Sequence, residues 1–588
     1  MKIPRIAVLD RDKCQPKKCA TECESFCPGV RVGDETITLD EKGKPIISEE
    51  LCTGCGICVH KCPFDAIHII NLPEELEEQC IHRYGLNGFA LYNLPIPRKG
   101  KVTGMIGKNG IGKTTALRIL AGDISPNLGE DESASSRDLK EFFKGSELQS
   151  YFESIEDAKI SYKPQSIIDL PSTVEGIVGE LLEEVDERDK ASQIARSLDL
   201  EGILDREISA LSGGELQRVA IAAASVKDSD LYYFDEPASH LDVYQRLNAA
   251  RSIRKLAGED KAVIVVEHDL AALDYMCDYV HVVYGEPNVY GVISEPRGVR
   301  KGINVYLDGF LKEENVRFRP DSIRFKTRAP TEFQEGKTPI FEFPDLVKNF
   351  DGFELKVEEG EIFSGEIVGV VGPNATGKTT YVRMLSGDLV PDRGEIDEKL
   401  KIVHKPQYPE ISHEGTVMSY LYEKVLEFDK KFETEILKPL KVEDLLENQI
   451  QTLSGGEIQR TVIAACLGQS ADLYLLDEPS AYLDVEQRLE MARAIERKIE
   501  SKNAAALVVE HDILTADYLS DRLLVFGGKP GEKGEAKGPL GMREGMNLFL
   551  KEVDVTFRRD PRTGRPRVNK PGSRLDTEQK NKGEYYYT

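Results

Sequence analysis

Short apolar runs that end in polar, chemically active side chains recur along this chain. Residues 101–106 predict a buried strand, and the helical pattern of residues 115–121 follows it after a glycine-rich loop. Residues 231–234 and 262–266 are further apolar runs of strand length, and each leads directly into polar residues. Continuous apolar strands that alternate with helices are typical of an α/β fold with a buried sheet.

Length and charge narrow the class of protein. The 588 residues are too many for one hydrophobic core and predict about three or four domains. No apolar run approaches the roughly 18 residues needed to span a bilayer, and residues 1–12 lack the apolar core of a signal peptide. We therefore expect a soluble, cytoplasmic protein. The net charge of −25 argues against a surface that wraps bare nucleic acid as a whole.

An eight-residue string occurs twice, as LSGGELQR at residues 211–218 and as LSGGEIQR at residues 453–460. Both copies predict the start of a helix, where serine and glycine leave backbone N–H groups able to point at an anion. The glycine-rich loops before the two strings are 265 positions apart, whereas the matching glutamines, signature serines, acidic pairs and histidines are 242 or 243 apart. One segment has therefore been duplicated, and the first copy carries 23 extra residues.

The extra residues of the first copy fall between its glycine-rich loop and Gln165. Two short helical patterns occur there, at about residues 136–157, joined at Gly145-Ser146. Apolar residues at helical spacing give the second pattern one apolar face: Leu148, Tyr151, Phe152 and Ile155. Such a face usually packs on its own domain, but its absence from the second copy makes the insertion a candidate docking element for a partner.

Each copy contains a phosphate-binding loop of the pattern G-x4-G-K-[ST], at residues 107–114 and 372–379. Glycines allow backbone N–H groups to surround the phosphates, Lys113 is expected to neutralise charge on the β- and γ-phosphates, and Thr114 offers a hydroxyl to Mg²⁺. Ala375 replaces a glycine in the second loop, a small change that leaves nucleotide binding expected there too.

The polar residues after the predicted strands suit hydrolysis of a nucleotide. Asp235 is expected to hold Mg²⁺ through water, and Glu236 to polarise the attacking water as a general base. Gln165 is placed to contact Mg²⁺ and the γ-phosphate, and His268 to contact the γ-phosphate. The counterparts in the second copy are Asp477, Glu478, Gln407 and His511. Thr114 and Thr379 complete the two expected Mg²⁺ sites.

Aromatic residues upstream of each loop are candidates for stacking on adenine, with core packing as the alternative. The residues of the first copy that we expect to contact ATP are Tyr84, Phe89, Gly107, Asn109, Gly110, Gly112, Lys113, Thr114, Thr115, Gln165, Ser212, Gly213, Gly214 and Asp242. Those of the second copy are Phe350, Gly372, Asn374, Gly377, Lys378, Thr379, Thr380, Gln407, Ser454, Gly455, Gly456 and Asp484. Among them, Asp242 is placed to bridge to the opposing site.

Eight of the eleven cysteines lie before residue 63. The second group, Cys-x2-Cys-x2-Cys-x3-Cys-Pro, has the spacing of two-cluster bacterial ferredoxins, and the first group ends in the same Cys-Pro pair but is spaced more widely. The crossed pattern of those ferredoxins assigns one [4Fe–4S] cluster to Cys14, Cys19, Cys23 and Cys62. It assigns the other to Cys27, Cys52, Cys55 and Cys58. Zinc is the alternative metal, and an oxidised secreted module is the alternative to metal binding.

Segments after each copy repeat as well. Residues 302–307 match residues 545–550, and residues 316–319 match residues 555–558, which predicts an ordered two-part hinge rather than loose linkers. Residues 556–574 carry seven basic side chains against one acidic one. This basic segment is either a solvated tail or a contact for a polyanion.

The paired loops, glutamines, LSGGE strings, acidic strand ends and histidines resemble the ATP-binding-cassette ATPases over about residues 76–540. With the cysteine-rich head, the insertion and the repeated hinge, the whole chain resembles one group, the ribosome-recycling factors of subfamily E, or RNase L inhibitor family. The resemblance implies a ferredoxin-like α+β iron–sulfur domain at residues 1–75 and cassettes at 76–295 and 326–540. It also implies hinge segments at 296–325 and 541–588, the second with the basic tail.

The resemblance also implies a function. The protein would split terminated or stalled ribosomes with a release factor or its stalled-ribosome relative, and would remain on the small subunit, in contact with rRNA and protein. Translation initiation factors are a further candidate partner. Cofactors would be two [4Fe–4S] clusters and Mg²⁺, and ATP would be hydrolysed at two composite sites within one monomer, Lys113 opposite Ser454 and Lys378 opposite Ser212. The alternatives are a transporter ATPase half, a redox-coupled ATPase and a cassette ATPase of another pathway.

Overall fold

The computed structural model describes residues 5–11, 13–49, 51–71, 80–155, 157–167, 170–325, 339–396, 400–407, 411–502 and 504–586. The domain boundaries expected near residues 76 and 326 lie outside the described residues. The chain divides into two compact units. The first comprises residues 1–237, 251–268 and 276–321, and the second comprises residues 238–250, 269–275 and 322–588.

The cysteine-rich head is a small α+β arrangement. Strand Arg5–Leu9 pairs antiparallel with Ile67–Asn71, and Ile37–Leu39 pairs antiparallel with Pro45–Ile47. Its helices are Glu22–Ser25, Pro28–Val32 and Ile57–Lys61. Cysteines, alanines and isoleucines form a common core in this head, so the thiols are part of its packing.

The first cassette is built on a sheet whose central strands are parallel and fully buried. Continuous runs of Val, Ile and aromatic residues produce such strands because both sheet faces are covered. The neighbour order is Cys80–Arg83, Ala90–Tyr92, Tyr290–Ile293, Tyr279–Glu286, Val102–Ile106, Ala262–Val266, Leu231–Asp235 and Ile160–Lys163, with Arg297–Gly298 paired to Tyr279–Glu286. The α-helices over this region are Lys113–Leu120, Ser136–Phe142, Gln149–Ser154, Leu170–Thr173, Val178–Glu184, Ala191–Ser197, Gly213–Val226, Val243–Leu256 and Leu270–Met276, with short 3₁₀ turns Glu201–Ile203 and Ile208–Ala210.

The second cassette repeats this sheet. The neighbour order is Leu346–Phe350, Phe353–Val357, Lys533–Gly541, Arg522–Lys529, Ile367–Val371, Ala505–Val509, Leu473–Asp477 and Ile402–Lys405, and Pro339–Phe343 pairs separately with Gly360–Phe363. The helices are Lys378–Leu385, Val417–Lys424, Lys430–Phe432, Gly455–Gly468, Val485–Lys502 and Ile513–Leu519. A π-helical turn, Glu433–Leu437, and 3₁₀ turns Glu443–Leu445 and Ile450–Thr452 complete it. The α/β fold of two tandem cassettes with an N-terminal α+β domain is thus confirmed.

The insertion and the hinge segments are ordered. The insertion contains helices Ser136–Phe142 and Gln149–Ser154, and the apolar face of the second helix packs into the core of its own cassette. The first hinge segment contains helix Val299–Asp308 and the hairpin Phe310–Leu311 with Val316–Arg317. The second contains helix Met542–Glu552, the hairpin Phe557–Arg559 with Pro566–Val568, and helix Arg574–Lys582.

The basic segment near the C-terminus is not a solvated tail. Within the second unit, Arg565 and Arg567 are buried and bind Asp274, and Arg559 donates two hydrogen bonds of 2.8 Å to Asp517. These arginines are therefore not available to a polyanion, and the expectation of a polyanion contact is wrong for them. Among the described residues, no helix has both the length and the apolar character needed to cross a membrane.

Candidate functional site

Strand Val102–Ile106 leads into the first phosphate-binding loop, and helix Lys113–Leu120 follows the loop. Gly112 has φ +90°, and a Cβ there would lie 2.7 Å from the ring of Phe89, so only glycine fits. Lys113 is buried, and its Nζ donates to the carbonyl of Gly107 at 3.1 Å. The loop therefore surrounds its own lysine, in a form that can receive a phosphate.

The second loop has the same form. Gly377 has φ +98°, and Ala375 has φ 58°, an uncommon value for a residue other than glycine. Lys378 Nζ donates to the carbonyls of Gly372 at 2.9 Å and Pro373 at 2.7 Å. Burial lowers the pKa of Lys378 to about 8, against the opposing influence of Asp242, Glu478 and Asp477. An added phosphate would favour the charged lysine.

Asp235 and Glu236, at the end of strand Leu231–Asp235, lie near Lys113 of the first phosphate-binding loop. Glu236 has φ 46°, and its Oε1 accepts a hydrogen bond of 2.8 Å from Gln165 Nε2 and lies 3.5 Å from His268 Nε2. Burial alone would raise the pKa of Glu236. Contacts with His268, Lys113 and Gln165 outweigh burial and lower that pKa to about 2. Glu236 is therefore ionised at neutral pH, as a general base must be.

The second acidic pair repeats this arrangement. Glu478 also has φ 46°, and its Oε1 accepts from Gln407 Nε2 at 2.6 Å and lies 2.9 Å from His511 Nε2. Burial would raise its pKa, but His511, Gln407 and Lys378 lower it to about 2. The residues expected to act in hydrolysis are thus brought together in each copy, although they are far apart in sequence.

Asp235 and Asp477 have the properties of Mg²⁺ ligands. Both are buried, and within the described part of the chain their carboxylate oxygens have no hydrogen-bond partner at normal distance. Burial raises the pKa of Asp235 to about 6, although the nearby hydroxyl of Thr114 lowers it somewhat. Burial likewise raises the pKa of Asp477, and Thr379 opposes this. A buried carboxylate that lacks a partner, next to a threonine hydroxyl, fits a hard cation.

The LSGGE serines begin helices Gly213–Val226 and Gly455–Gly468. Each serine forms a capping box with the glutamate three residues later: Ser212 Oγ donates to Glu215, and Ser454 Oγ donates to Glu457, both at 2.7 Å. These serines thus order the helix start from which the backbone N–H groups project.

Asp242 and two exposed aromatic rings are further predicted ATP contacts. Within the second unit, Asp242 Oδ2 accepts a hydrogen bond of 2.7 Å from the backbone N–H of Asn374. Asp242 therefore contacts the phosphate-binding loop at residues 372–379. Tyr84 is 47% exposed and its hydroxyl lies 3.3 Å from Thr115 Oγ1, while Phe350 is 46% exposed. Exposed rings are thus available for stacking in both copies.

The eight N-terminal thiols form two groups of neighbours. The pKa of Cys23 is raised to about 11, mainly by burial and further by Cys62, Cys19 and Cys14. The pKa of Cys58 is raised to about 12 by burial, with Cys52, Cys55 and Cys27 as its thiol neighbours. Cys27, Cys52, Cys55 and Cys58 also line one cavity. This grouping follows the crossed pattern, because each group contains one thiol from the other sequence group.

Among the described residues, no three histidine, cysteine or acidic side chains are arranged to hold a single ion.

Lys163 and Lys405 were not among the residues predicted for the site, but both contact the acidic pairs through the backbone. Lys163 Nζ donates to the carbonyl of Asp235 at 2.9 Å, and Lys405 Nζ donates to that of Asp477 at 2.8 Å. The signal was available in the sequence, since the two lysines are 242 positions apart, as are Gln165 and Gln407.

Comparisons with known proteins agree with this description. The model of the ABC transporter family matches residues 94–239 and 355–481. The model described as "Possible Fer4-like domain in RNase L inhibitor, RLI" matches residues 4–35, and that of the 4Fe-4S binding domain matches residues 45–68. The head is therefore a 4Fe-4S-binding domain, and the cassettes are ABC ATPase domains.

Relatives match over nearly the whole chain. Translation initiation factor RLI1 of Saccharomyces cerevisiae is 46% identical over 99% of this chain and 98% of its own length. A model of ribosome-bound archaeal Pelota and ABCE1 contains a chain that is 55% identical, with TM-score 0.94 over 99% of both chains. The crystal structure of archaeal ribosomal stalk protein aP1 with archaeal ribosome recycling factor aABCE1 contains one that is 53% identical, with TM-score 0.84 over 88% of this chain and 100% of that chain.

Proposed function

Since the chain belongs to the RNase L inhibitor family, subfamily E of the ABC proteins, we propose that it recycles ribosomes. It would use ATP to separate terminated or stalled ribosomes into subunits, together with a release factor or its stalled-ribosome relative. The likeness to an archaeal ribosome recycling factor, over 88% of this chain, supports this proposal most directly. The likeness to a chain in a ribosome-bound complex with Pelota supports the choice of partner.

The proposed reaction is hydrolysis of ATP to ADP and phosphate in each cassette. Lys113 and Lys378 would neutralise the β- and γ-phosphates, and the loop N–H groups would hold them in place. Glu236 and Glu478, kept ionised by their contacts, would accept the proton of the attacking water. His268 and His511 lie beside these carboxylates and would orient the γ-phosphate and water.

Gln165 and Gln407 would fix the direction of each carboxylate, because their amide nitrogens donate to Oε1 of Glu236 and Glu478. Mg²⁺, when bound at Thr114 with Asp235 or at Thr379 with Asp477, would supply charge neutralisation for the β- and γ-phosphates. Exposed rings at Tyr84 and Phe350 would stack on adenine.

The head would hold two [4Fe–4S] clusters, one on Cys14, Cys19, Cys23 and Cys62, and one on Cys27, Cys52, Cys55 and Cys58. The clusters would supply cross-links between distant segments of a small domain that has only short strands and helices. We propose that this contribution is structural, so that the head acts as a rigid body against a partner. Loss of ATP-dependent splitting on a change of cluster redox state, with the fold intact, would contradict it.

Sedimentation of ribosomes tests the function. Purified ribosomes are mixed with this protein, ATP and a release factor or its stalled-ribosome relative. We expect conversion of whole ribosomes to subunits. The double variant Glu236→Gln/Glu478→Gln should stay with the small subunit, because it binds ATP without hydrolysing it. Ribosomes that stay intact, with no nucleotide-dependent co-sedimentation, would contradict the proposal and favour a redox-coupled ATPase.

A further inference from the structure

A buried lysine lies under the catalytic glutamate in each cassette. Lys163 is 1% exposed, and its Nζ donates hydrogen bonds to the carbonyls of Asp235 at 2.9 Å and Glu236 at 3.4 Å. Lys405 is 0% exposed and makes the same pair of bonds, to Asp477 at 2.8 Å and Glu478 at 3.3 Å. Each site thus contains a buried lysine that donates to two consecutive backbone carbonyls. The roles assigned above to the phosphate-binding loops and the acid–base residues do not require this lysine.

The more distant of the two carbonyls that each lysine contacts belongs to a residue with an unusual backbone. Glu236 and Glu478 both have φ 46°, in the left-handed region that residues other than glycine rarely adopt. Such a conformation persists only where the surroundings hold it. A second donor reaches the same oxygen in each copy: Gln217 Nε2 to Glu236 at 2.7 Å, and Gln459 Nε2 to Glu478 at 2.8 Å.

The same strand end also holds the side chain of the glutamate. Gln165, two residues after Lys163, donates to Glu236 Oε1 at 2.8 Å. Residues 163–165 therefore contact both the backbone and the carboxylate of Glu236. A displacement of this segment would move both ends of the general base together.

A buried lysine is a costly way to fill space. Burial lowers the pKa of Lys163 and that of Lys405 to about 8, which shows that the interior disfavours the charged form. An apolar side chain of similar length would avoid this cost, so packing alone does not account for lysine here. The bonds that the ammonium group donates are what an apolar replacement would lose.

We propose that Lys163 and Lys405 are positioning residues for ATP hydrolysis, which hold the backbone of Glu236 and Glu478 so that each carboxylate points at the attacking water. This inference rests on the proposed role of these glutamates as general bases. The lysines do not touch the reacting atoms, and they act through the glutamate carbonyl.

Lys163→Met tests the proposal in full-length protein with its clusters intact, in a Glu478→Gln background that leaves the first site to be measured. We expect kcat for phosphate release to fall about 10- to 100-fold, because misplacement of a catalytic group by an ångström has effects of this size. KM for ATP should stay within about 2-fold, since the phosphate-binding loop is unchanged. The matched control is Lys261→Met, which removes a lysine bound to Asp228 in the same cassette and should leave kcat unchanged.

Adding Glu236→Gln distinguishes positioning from general damage. If Lys163 acts through Glu236, then Lys163→Met lowers kcat no further once Glu236 is replaced. An equal fall in both backgrounds, lost ATP binding, or unchanged kcat in the single variant would each overturn the inference. If Glu236→Gln itself leaves kcat unchanged, the proposed general base fails, which is a separate result.

A second variant covers the case in which Lys163→Met does not fold. Gln217→Met removes the other donor to the Glu236 carbonyl, and its side chain has similar length. We expect Gln217→Met to lower kcat as Lys163→Met does and to leave KM for ATP unchanged. In the Glu236→Gln background, Gln217→Met should lower kcat no further. Wild-type kcat in this folded variant would overturn the inference.

Discussion

In the first cassette His268 Nε2 lies 3.5 Å from Glu236 Oε1, whereas the equivalent atoms of His511 and Glu478 lie 2.9 Å apart. The backbone of both glutamates has the same φ of 46°. The two copies therefore share the backbone geometry of the site and differ at the ends of flexible side chains. The duplicated sequence thus determines the shared backbone arrangement of the site, which we call the frame. The distance between histidine and carboxylate differs between the copies.

The helices after the two histidines differ in a second way. Asp274 and Asp517 hold equivalent positions, 243 apart, and both bind arginines of the C-terminal segment within the second unit. Asp274 binds Arg565 and Arg567, whereas Asp517 binds Arg559 and the hydroxyl of Tyr586. The C-terminal segment thus gives the two equivalent aspartates different partners.

The variants with the largest expected effect test whether both cassettes use their glutamate to hydrolyse ATP. Glu236→Gln and Glu478→Gln keep the shape of each side chain but remove its ability to accept a proton. Phosphate release from the double variant should fall about 10²- to 10⁴-fold, the usual contribution of a general base. Nucleotide binding, measured by fluorescence of an ATP analogue, should remain. Equal rates in wild type and double variant would show that the frame serves binding alone.

Asp274→Asn tests the difference between the two helices. Arg565 is fully buried and would lose the carboxylate that balances its charge, so we expect a loss of about 3–5 kcal/mol in the stability of the second unit. Asp517→Asn should cost less, because Arg559 remains partly exposed. Unfolding by denaturant, followed by circular dichroism, measures both.

Glu578→Gln is the control for these variants, since it removes an ion pair with the exposed Arg574. It should leave the unfolding midpoint unchanged. A loss as small for Asp274→Asn as for this control would mean that the buried arginines do not depend on Asp274.

The sequence predicted the frame well and the long-range contacts poorly. Strand 231–234 and the residues Asp235 and Glu236 could be predicted because apolar runs and the 242-residue repeat are local or periodic signals. The burial of Arg565 could not, because its partner Asp274 lies 291 residues away and nothing in an arginine-rich segment indicates it. The capping box at Ser212 was readable, since Glu215 follows at the required spacing.

Replacing the exposed rings tests whether the two cassettes bind the adenine base equally well. Tyr84 and Phe350 have nearly the same exposure, 47% and 46%, so Tyr84→Ala and Phe350→Ala should weaken ATP binding similarly. Stacking of a base on an aromatic ring is worth about 1–3 kcal/mol. Each variant is measured by calorimetry with the other site disabled by Lys378→Ala or Lys113→Ala. Tyr422→Ala, which removes an exposed ring stacked on Phe428, should have no effect.

The smallest expected effect concerns a carboxyl group next to the second histidine. Glu510 is buried, and burial raises its pKa to about 7, although Ser480 donates to both of its oxygens and opposes the rise. In the unfolded chain its pKa is near 4.5. Between pH 6 and pH 8 the unfolded chain thus keeps an ionised Glu510, whereas the folded chain must give up a proton.

Folding stability of the wild type should therefore fall by about 1 kcal/mol from pH 6 to pH 8 through this group. Glu510→Gln has no proton to lose, so its melting temperature relative to wild type should rise over the same range, as measured by calorimetry. Glu532→Gln, at a side chain paired with Lys529 on the surface, should show no such trend. A constant difference between Glu510→Gln and wild type would mean that Glu510 keeps one charge state throughout. The contact between the Ser480 hydroxyl and Glu510 would then not depend on a proton of Glu510. The first cassette has no such hydroxyl, because Ala238 holds the equivalent position.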